Sequence, residues 1–290
     1  MTPITLIGEP WADYGLLDSG HGRKLERYGD YKFIRPEPQA LWAPAEAAWA
    51  ADGAFIPGSD EDGGGQWQHD TKLPQHGWSS EWEGLTFNTR PTPFRHLGYF
   101  PDMAPVWGWM RGQLDAAVTP PSVLNLFGYT GVGSLALAAK GAAVTHVDAS
   151  KKSVDQARTN AALSLLHDAP IRWIVDDAAK FTAREVRREK RYDGIILDPP
   201  KFGRGPEGEV WRLEEGLPSL IADCRKLLDA DSHFLFLTVY AVRMSALAIG
   251  ELVRQACADL GGTVECGELG VREEARGLIL PTAIFARWSR

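Results

Sequence analysis

An alternation of apolar β-type segments with amphipathic helical segments, running from about residue 122 to residue 288, constrains the fold more than any other feature of the sequence. Strands are predicted at 123–127, 143–147, 171–175, 194–197, 234–239, 263–266 and 278–288. Helices are predicted at about 132–140, 154–161, 180–190, 214–228 and 245–260. Repeated units of this spacing predict an α/β fold with a seven-stranded, mainly parallel sheet and helices on both faces. Ligands of such sheets bind beyond the carboxyl ends of the strands, where the strand order reverses.

The first 119 residues differ in composition, because they hold eight of the eleven tryptophans and many prolines and glycines. Short segments of β-type composition, such as Tyr31–Ile34, predict a small β-rich N-terminal region over residues 1–91. The α/β domain is then expected over 92–290. The acidic, glycine-rich stretch 52–66 is predicted to be an exposed loop.

Composition and charge exclude several classes of protein. A net charge of −7 argues against a broad surface for nucleic acid, although it leaves room for a local basic groove. Neither a long apolar run nor a secretion signal is present, so no membrane span is expected. The three cysteines form no CxxC pair, which predicts a cytoplasmic protein without disulfides. No His, Asp or Glu cluster has metal-ligand spacing, so no metal is expected, and nothing specifies an oligomeric state.

A glycine-rich turn follows the first strand of the α/β domain, in Asn125-Leu-Phe-Gly128-Tyr-Thr-Gly131-Val-Gly133-Ser134. Glycines there let the backbone approach a ligand, and the following helix N-terminus offers N–H groups to an anion. A plain tight connection is the alternative. Asp148 ends the next strand, where a carboxylate can accept hydrogen bonds from both hydroxyls of a ribose; a cap near Ser150 is the alternative. Together these residues indicate a nucleotide-type ligand.

Two classes of enzyme are compatible with that ligand. The run Gly131-Val-Gly133-Ser-Leu-Ala136 matches GxGxxA, the dinucleotide fingerprint, so an NAD-dependent oxidoreductase is one of them. The segment Asp198-Pro199-Pro200-Lys201-Phe202, directly after the fourth strand, favours the other.

Two prolines fix a rigid turn and remove two backbone donors. The carbonyls of this turn and the Asp198 carboxylate are expected to face outward, as acceptors for an amine or a nucleobase edge. Phe202 can stack on a planar ring. This arrangement suits a planar nitrogenous acceptor held near a reactive methyl group, and has no evident task in hydride transfer. A rigid turn without a ligand is the alternative.

Asp176 and Asp177 follow the third strand. A carboxylate or a backbone group there can hydrogen-bond the amino group of an adenine. Either aspartate could instead cap the helix that follows. The sequence favours a binding role for Asp177 and leaves the two interpretations balanced for Asp176.

These motifs occur in an order that resembles the class I S-adenosylmethionine (SAM)-dependent methyltransferases, whose fold is Rossmann-like. DPPKF, NLFGYTGVGS and the upstream segment His96-Leu-Gly-Tyr-Phe-Pro-Asp102 look most like the bacterial branch that includes large-subunit rRNA cytosine-C5 methyltransferases. The resemblance covers about residues 92–288. It is more specific for SAM-dependent methyl transfer than for a substrate.

The resemblance implies SAM as cofactor and assigns roles residue by residue. Contacts with the methionine part of SAM would come from Asn125, Phe127, Thr130 and Gly131. Asp148 with Ala149 would hold the ribose, and Asp177 with Ala178 would meet the adenine. The reacting corner would comprise Asp198, Pro199, Pro200 and Phe202. A cover from the upstream side would come from His96 and Phe100, and substrate contacts from Lys201, Arg204 and Tyr240.

The sequence departs from the family pattern in two places. Phe127 and Tyr129 stand where the common GxGxG motif has glycines. Cytosine-C5 methylation needs a thiolate that adds to the ring, and in the family this cysteine follows the fifth strand. The corresponding stretch here, Thr238-Val-Tyr-Ala241, has none, and Cys224 and Cys257 lie on apolar helix faces. A nitrogen, an oxygen or another carbon is therefore open as the acceptor.

The resemblance favours direct methyl transfer to an RNA base, with rRNA first. A protein or a small molecule is the alternative substrate, and an NAD-dependent oxidoreductase or a non-catalytic RNA-binding module is the alternative class. The basic runs 184–191 and 23–27 could meet RNA phosphate, but solvated protein surface is the commoner role of such runs.

Overall fold

The computed structural model describes residues 2–58, 64–115, 119–240 and 243–290. Its strands are β1 (Ile4–Gly8), β2 (Tyr14–Gly20), β3 (Arg23–Tyr28), β4 (Tyr31–Pro36), β5 (Gly53–Pro57), β6 (Gly65–His69), β7 (Trp78–Trp82), β8 (Leu85–Thr89), β9 (Ser122–Leu126), β10 (Ala143–Asp148), β11 (Ile171–Val175), β12 (Gly194–Leu197), β13 (Phe202–Arg204), β14 (Val210–Arg212), β15 (Phe234–Tyr240), β16 (Thr263–Arg272) and β17 (Ile279–Ser289). Its helices are α1 (Ala104–Gln113), α2 (Val132–Ala138), α3 (Lys151–Leu163), α4 (Ala178–Arg187), α5 (Leu213–Lys226) and α6 (Ala246–Ala256), with a 3₁₀ turn at Pro101–Met103.

The chain divides into two compact units. The α/β unit comprises Met1–Leu6, Val106–Glu268 and Ala283–Arg290, and the N-terminal unit comprises Ile7–Pro105 and Leu269–Thr282. The N-terminal unit therefore draws on two separate segments of the chain. The predicted domain boundary between residues 91 and 92 stays a prediction.

The α/β sheet has the strand order β1-β16-β17-β15-β12-β9-β10-β11. Strand β9 pairs in parallel with both β10 and β12, and β15 pairs in parallel with β12 and antiparallel with β17. The seven predicted strands are present, and β1 adds an eighth at the edge. The predicted Rossmann-like fold is confirmed. Its order reverses between β9 and β12, so a ligand crevice is expected at their carboxyl ends.

Alternating side chains of the strands divide the helices between the two faces. On one face, Leu124 of β9 and Leu235 of β15 share a core with Phe181 of α4 and Leu217 of α5. On the other face, Trp109 of α1 packs against the Phe234 and Phe236 rings at 5.7 and 5.3 Å. Since consecutive strand residues point to opposite faces, both faces of these strands are buried, as is typical of parallel sheets.

Most predicted helices and strands agree with the structure to within a few residues, but two features differ. The interval 52–66 is not a loop throughout, because Gly53–Pro57 forms β5 and Gly65 begins β6. The remainder of the interval, 59–63, lies outside the described residues. A hairpin of β13 and β14 was not predicted; its three-residue strands are too short to give a periodic signal.

The N-terminal unit is β-rich, as predicted, with a five-stranded sheet β2-β3-β4-β5-β6 and a hairpin of β7 and β8. Its interior holds an ion pair between the buried side chains of Glu26 and Arg35. The Arg35 Nε and Nη2 atoms donate to the Glu26 carboxylate at 2.7 and 2.8 Å, and the Tyr14 hydroxyl donates to it at 2.8 Å. The Glu26 carboxylate, on β3, thus accepts from donors on the two neighbouring strands, β2 and β4, and joins the three strands through a buried polar centre.

We expect Glu26→Gln to destabilise the protein and to reduce its sensitivity to acid. Burial raises the pKa of Glu26, but the charges of Arg35 and Lys24 and the hydrogen bonds from Arg35 and Tyr14 together outweigh burial, so the pKa falls from 4.5 to about 2. This stabilisation is complete above the unfolded-state pKa and is lost as the pH falls from 4.5 towards about 2. The shift corresponds to roughly 3 kcal/mol at neutral pH. Urea unfolding measured between neutral and acidic pH tests this.

The matched control for Glu26 is Glu37→Gln, which removes a less buried partner of Lys24. Its unfolding free energy should change by about 1 kcal/mol or less. Equal effects of the two substitutions at neutral pH, or an unchanged acid dependence in Glu26→Gln, would show that the buried pair does not stabilise the N-terminal unit.

Candidate functional site

The predicted site of the α/β unit lies at the carboxyl ends of three adjacent strands. Leu126, which ends β9, is in register with Val147 of β10 and with Leu197 of β12. The residues that follow, Phe127, Asp148 and Asp198, therefore lie side by side at one edge of the sheet. The structure thus brings together the glycine-rich turn, the acidic residue of the second strand and the Asp-Pro-Pro turn.

The turn after β9 has a backbone conformation that favours glycine. Phe127, Tyr129 and Gly131 have φ values of +58°, +49° and +85°. The Gly128 N–H donates to the Val147 carbonyl at 3.0 Å, and the Gly131 N–H donates to the Gly128 carbonyl at 3.0 Å. Left-handed backbone costs a non-glycine residue roughly 1–2 kcal/mol. Phe127 and Tyr129 thus keep the path of a GxGxG turn at an energetic cost, which explains how the chain departs from the motif.

A buried polar network of Asn125, Ser134 and His146 packs against this turn. The Asn125 side-chain amide donates to the Ser134 hydroxyl at 2.9 Å, and this hydroxyl lies 2.9 Å from the His146 Nδ1 atom. A Cβ atom on Gly128 would lie 2.4 Å from the His146 ring, so this position needs glycine. Burial lowers the pKa of His146 to about 3, so the imidazole is neutral. Asn125 thus supports the turn, and its predicted contact with SAM stays a prediction.

The last residues of the turn are fixed by α3. Asn160, which is buried in α3, donates its amide to the Thr130 carbonyl at 2.9 Å. A Cβ atom on Gly131 would lie 2.8 Å from the Ala157 Cβ atom, closer than side chains pack. The path of Thr130 and Gly131 is therefore set by packing as well as by hydrogen bonds.

Asp148 is half-buried at the end of β10, next to the half-buried Ala149. One carboxylate oxygen accepts from the Tyr129 N–H at 2.8 Å and the other from the Ser150 N–H at 2.8 Å. Burial raises the pKa of Asp148, although these two hydrogen bonds act in the opposite direction. Each oxygen keeps a further lone pair for an external donor. The geometry thus joins the carboxylate to the glycine-rich turn and leaves it acceptor capacity.

The two aspartates after β11 both have partners within the protein. The Asp177 carboxylate accepts from the Lys180 N–H at 2.9 Å and caps α4, which begins at the buried Ala178. Asp176 forms an ion pair with Arg184. The capping interpretation is therefore realised for Asp177. A contact of Asp177 or Ala178 with an adenine stays a prediction.

The Asp-Pro-Pro turn is partly covered by an indole ring. Asp198 is half-buried, Pro199 is buried and Pro200 is exposed. The Trp211 Nε1–H donates to the Pro200 carbonyl at 2.8 Å. One lone pair of the Pro200 carbonyl oxygen is therefore engaged within the protein. The prediction that the carbonyls of this turn face a substrate stays a prediction.

Trp211 also links the two sides of the crevice. Its ring lies 5.2 Å from the Phe127 ring, between centroids. The same residue thus contacts the turn after β9 and the turn after β12. Sequence reasoning missed Trp211; a lone tryptophan in a polar stretch was the available signal. It also missed Asn160 and His146, polar residues on otherwise apolar faces.

The predicted substrate residues lie around this turn. Lys201 and Phe202 are exposed, and the Arg204 guanidinium lies 6.0 Å from the centre of the Phe202 ring. Tyr240 is half-buried at the end of β15, the neighbour of β12. Their contacts with a substrate stay predictions.

All three cysteines of the chain are buried and unpaired by disulfides. Burial raises the thiol pKa of Cys224 and Cys266, and that of Cys257 to about 11. The thiols are therefore protonated near neutral pH, as the predicted core role of Cys224 and Cys257 requires.

His96 and Phe100 belong to the N-terminal unit. Their rings lie 4.6 Å apart between centroids, and burial is the main cause that lowers the pKa of His96. The His96 carbonyl accepts from the Thr92 N–H at 3.1 Å. Their predicted role as a cover for SAM stays a prediction.

Solved structures show the class to which this chain belongs. A SAM-dependent methyltransferase from Agrobacterium tumefaciens is 44% identical, with a TM-score of 0.94, over 100% of this chain and 94% of that one. The matched region therefore includes both units of the chain. The chain belongs to the SAM-dependent methyltransferases, which confirms the resemblance noted in its sequence.

Curated relatives match over shorter segments. The Shewanella amazonensis ribosomal RNA large subunit methyltransferase I is 42% identical over 93 residues, 32% of this chain. The Magnetococcus marinus ribosomal RNA large subunit methyltransferase K/L is 30% identical over 159 residues, 54% of this chain. The matches span 24% and 21% of the lengths of those relatives. No protein-family model matches the chain.

The structure disfavours the NAD-binding alternative at Gly133. The second glycine of a dinucleotide fingerprint lets the backbone approach a pyrophosphate. Here a Cβ atom on Gly133 would lie 3.4 Å from the Nε1 atom of the buried Trp107. An indole therefore covers the face of Gly133 that a pyrophosphate would need.

No helix in ranges 2–58, 64–115, 119–240 and 243–290 is long and apolar enough to cross a membrane. Within the same ranges, no group of three or more His, Cys, Asp or Glu side chains could hold a metal ion.

We expect Gly131→Ala to weaken binding of S-adenosylhomocysteine by about tenfold, which corresponds to about 1.4 kcal/mol. The new Cβ atom would displace the turn from Ala157, at 2.8 Å. Gly141 provides a matched control. Its φ of +86° is close to the +85° of Gly131, and nothing lies within 4 Å of a Cβ atom added there. Gly141→Ala should lose stability but bind normally. Calorimetric titration checks both, and equal affinities would contradict a ligand role for the turn.

Proposed function

We propose that the protein binds SAM at the carboxyl edge of its α/β sheet and transfers the methyl group directly to a base of RNA. The observation that carries this proposal is the alignment of Phe127, Asp148 and Asp198 at the ends of paired strands. Membership of the SAM-dependent methyltransferases supports the reaction class.

The residues at this edge have the chemistry that SAM requires. Asp148 supplies carboxylate oxygens for two ribose hydroxyls, and its hydrogen bond with Tyr129 holds it against the turn. Residues 127–131 form the turn beside which the methionine part would lie. Asp177, which caps α4, and Ala178, its first residue, follow β11, the strand next to β10. The adenine would lie at this position. When bound, SAM supplies an electrophilic methyl group on a sulfonium.

The chain's contribution to the reaction is alignment and charge stabilisation. Asp198 and the Pro199 carbonyl would hold the acceptor, so that its lone pair approaches the methyl group in line at roughly 3 Å. Positive charge that develops on the acceptor would be stabilised by the Asp198 carboxylate. Trp211 keeps the turn in place through the Pro200 carbonyl. No proton transfer has to precede attack when the acceptor is a neutral ring nitrogen.

A covalent route through a cysteine of this chain is disfavoured. Such a route needs a thiolate that can reach the ring, and the three thiols are buried. We therefore propose a direct displacement, with a nitrogen or oxygen acceptor rather than C5 of cytosine.

RNA is the favoured substrate because the curated relatives are named as ribosomal RNA methyltransferases. The basic runs do not add to this argument. Arg184 pairs with Asp176, Arg188 pairs with Glu185, and Lys24 pairs with Glu26 and Glu37. These ion pairs within the protein favour a structural role for both runs, and Lys201 and Arg204 remain the better candidates. An enzyme that acts on ribosomal RNA would work in the cytoplasm, as predicted from cysteine usage.

Asp148→Asn should weaken binding of SAM and of S-adenosylhomocysteine by roughly 10- to 100-fold, because a charged acceptor for two hydroxyls is lost. Asp155→Asn is the matched control, since Asp155 is exposed on α3. It should bind normally. Calorimetric titration with each ligand, and with NAD, measures the effect. Normal affinity in Asp148→Asn, or tighter binding of NAD than of SAM, would contradict the proposed cofactor site.

Tritiated SAM incubated with RNA, protein and small-molecule fractions of bacterial cells tests the reaction. We expect label in the RNA fraction. Asp198→Asn should reduce the rate about 100-fold, while binding of S-adenosylhomocysteine stays within a few-fold of wild type. Label confined to the protein or small-molecule fraction would reject RNA as substrate. No label in any fraction, from protein that binds SAM, would reject the methyl-transfer activity.

A further inference from the structure

The hairpin after the Asp-Pro-Pro turn has one buried face and one exposed face. Its strands pair with Phe202 opposite Arg212, Gly203 opposite Trp211, and Arg204 opposite Val210. Directly opposed residues of an antiparallel pair point to the same side, and alternate residues share a face. Trp211 and Gly203 therefore point to one side. The other side, which we call the hairpin face, consists of Phe202, Arg204, Val210 and Arg212.

The hairpin face exposes apolar and cationic groups together. The Phe202 and Val210 residues are 45% and 55% exposed, and both arginines are exposed. The Arg204 guanidinium lies 6.0 Å from the Phe202 ring centre. An exposed aromatic ring beside guanidinium groups is the combination that stacks a nucleobase and meets its phosphate.

The acids near the hairpin lie in the loop that joins its strands and in the first turn of α5, outside the hairpin face. Glu207 and Glu209, in the loop that joins the two strands, form ion pairs with Lys180. The Arg212 Nη1 atom lies 3.8 Å from the Glu215 Oε1 atom, and both side chains are exposed. The hairpin face itself has two arginines and no acid, and Lys201 precedes it. Its charge is therefore complementary to a phosphate backbone, in a protein whose net charge is −7.

The buried face fixes the hairpin to the reacting corner. Trp211 donates to the Pro200 carbonyl, and the Leu213 N–H donates to the Lys201 carbonyl at 3.0 Å. A Cβ atom on Gly203 would lie 3.4 Å from the Pro200 ring. The hairpin is thus held against the turn that would present the acceptor. A nucleotide bound on its outer face would adjoin the reacting base.

We propose that the hairpin face binds an unpaired nucleotide next to the acceptor in single-stranded RNA. Its base stacks on Phe202 and Val210, and its phosphates meet Arg204 and Arg212. This inference rests on the proposed function and extends it, because it assigns recognition of the strand to residues that face away from Trp211 and Phe127. The hairpin face then sets the affinity for RNA, and Asp148 sets the affinity for SAM.

The test compares Phe202→Ala, Phe202→Tyr and Arg204→Ala with two controls, Leu165→Ala and Arg254→Ala. Leu165 is 84% exposed after α3, and Arg254 is exposed on α6. Methyl transfer to denatured total RNA is measured at saturating SAM. Binding of a fluorescein-labelled oligouridine, and of an RNA duplex of equal length, is measured by anisotropy over a range of salt concentrations.

Phe202→Ala should weaken oligouridine binding and raise the KM for RNA by about tenfold, since stacking on an aromatic ring stabilises each base by about 1–3 kcal/mol. Phe202→Tyr should retain wild-type affinity. Arg204→Ala should weaken binding and make its salt dependence shallower by about one counterion. The affinity of the variants for S-adenosylhomocysteine should stay at the wild-type level. Both controls should keep the wild-type KM for RNA and the wild-type affinity for oligouridine. The duplex should bind more weakly than the single strand.

Wild-type protein that methylates RNA while Phe202→Ala and Arg204→Ala keep its KM and affinity would overturn the hairpin inference alone. Wild-type protein that labels a protein fraction instead would overturn both the inference and the RNA substrate. A lower kcat with unchanged KM in Phe202→Ala would place the ring on the acceptor base and overturn the assignment to a neighbouring nucleotide.

Discussion

The site depends on the parallel pairing of β9 with β10 on one side and with β12 on the other. Because of this pairing, the three strands end at one edge of the sheet. Their register places Phe127, Asp148 and Asp198 side by side there. The turn after β9 is then bonded to β10 through the Val147 carbonyl and the Asp148 carboxylate, and its Phe127 packs on Trp211 of β14. The proposed cofactor and acceptor sites are thus adjacent because both follow hydrogen-bonded strands.

The left-handed backbone of the turn after β9 has an energetic cost, which contacts with the surrounding core offset. Phe127 and Tyr129 have left-handed backbone, which the buried His146 and Asn160 help to hold. Trp211 performs a second task, because its indole fixes the Pro200 carbonyl while its hairpin turns the opposite face to solvent. The hairpin therefore connects the Asp-Pro-Pro turn with the hairpin face, which we propose as a surface for RNA.

Much of the fold could be predicted from the sequence, because strongly periodic segments such as 171–175 and 194–197 leave little ambiguity. Because the glycine-rich turn, Asp148 and the Asp-Pro-Pro turn each follow a predicted strand, the sequence also predicted the edge of the sheet where the candidate site lies. The three-residue strands β13 and β14, and the strand within 52–66, have too little periodicity to detect. The occupied Pro200 carbonyl depends on a tertiary contact with Trp211, for which spacing along the chain carries no signal. The capping role of Asp177 is a local contact, and the sequence offered it as one of two interpretations.

The measurement that tests this account most directly is a crystal structure of the protein with S-adenosylhomocysteine. We predict that both ribose hydroxyls lie within hydrogen-bond distance, about 2.7 Å, of the Asp148 carboxylate. The sulfur atom should face the corner formed by Asp198 and Pro199. A ligand whose ribose lies away from β10, or a sulfur atom directed away from that corner, would contradict the account.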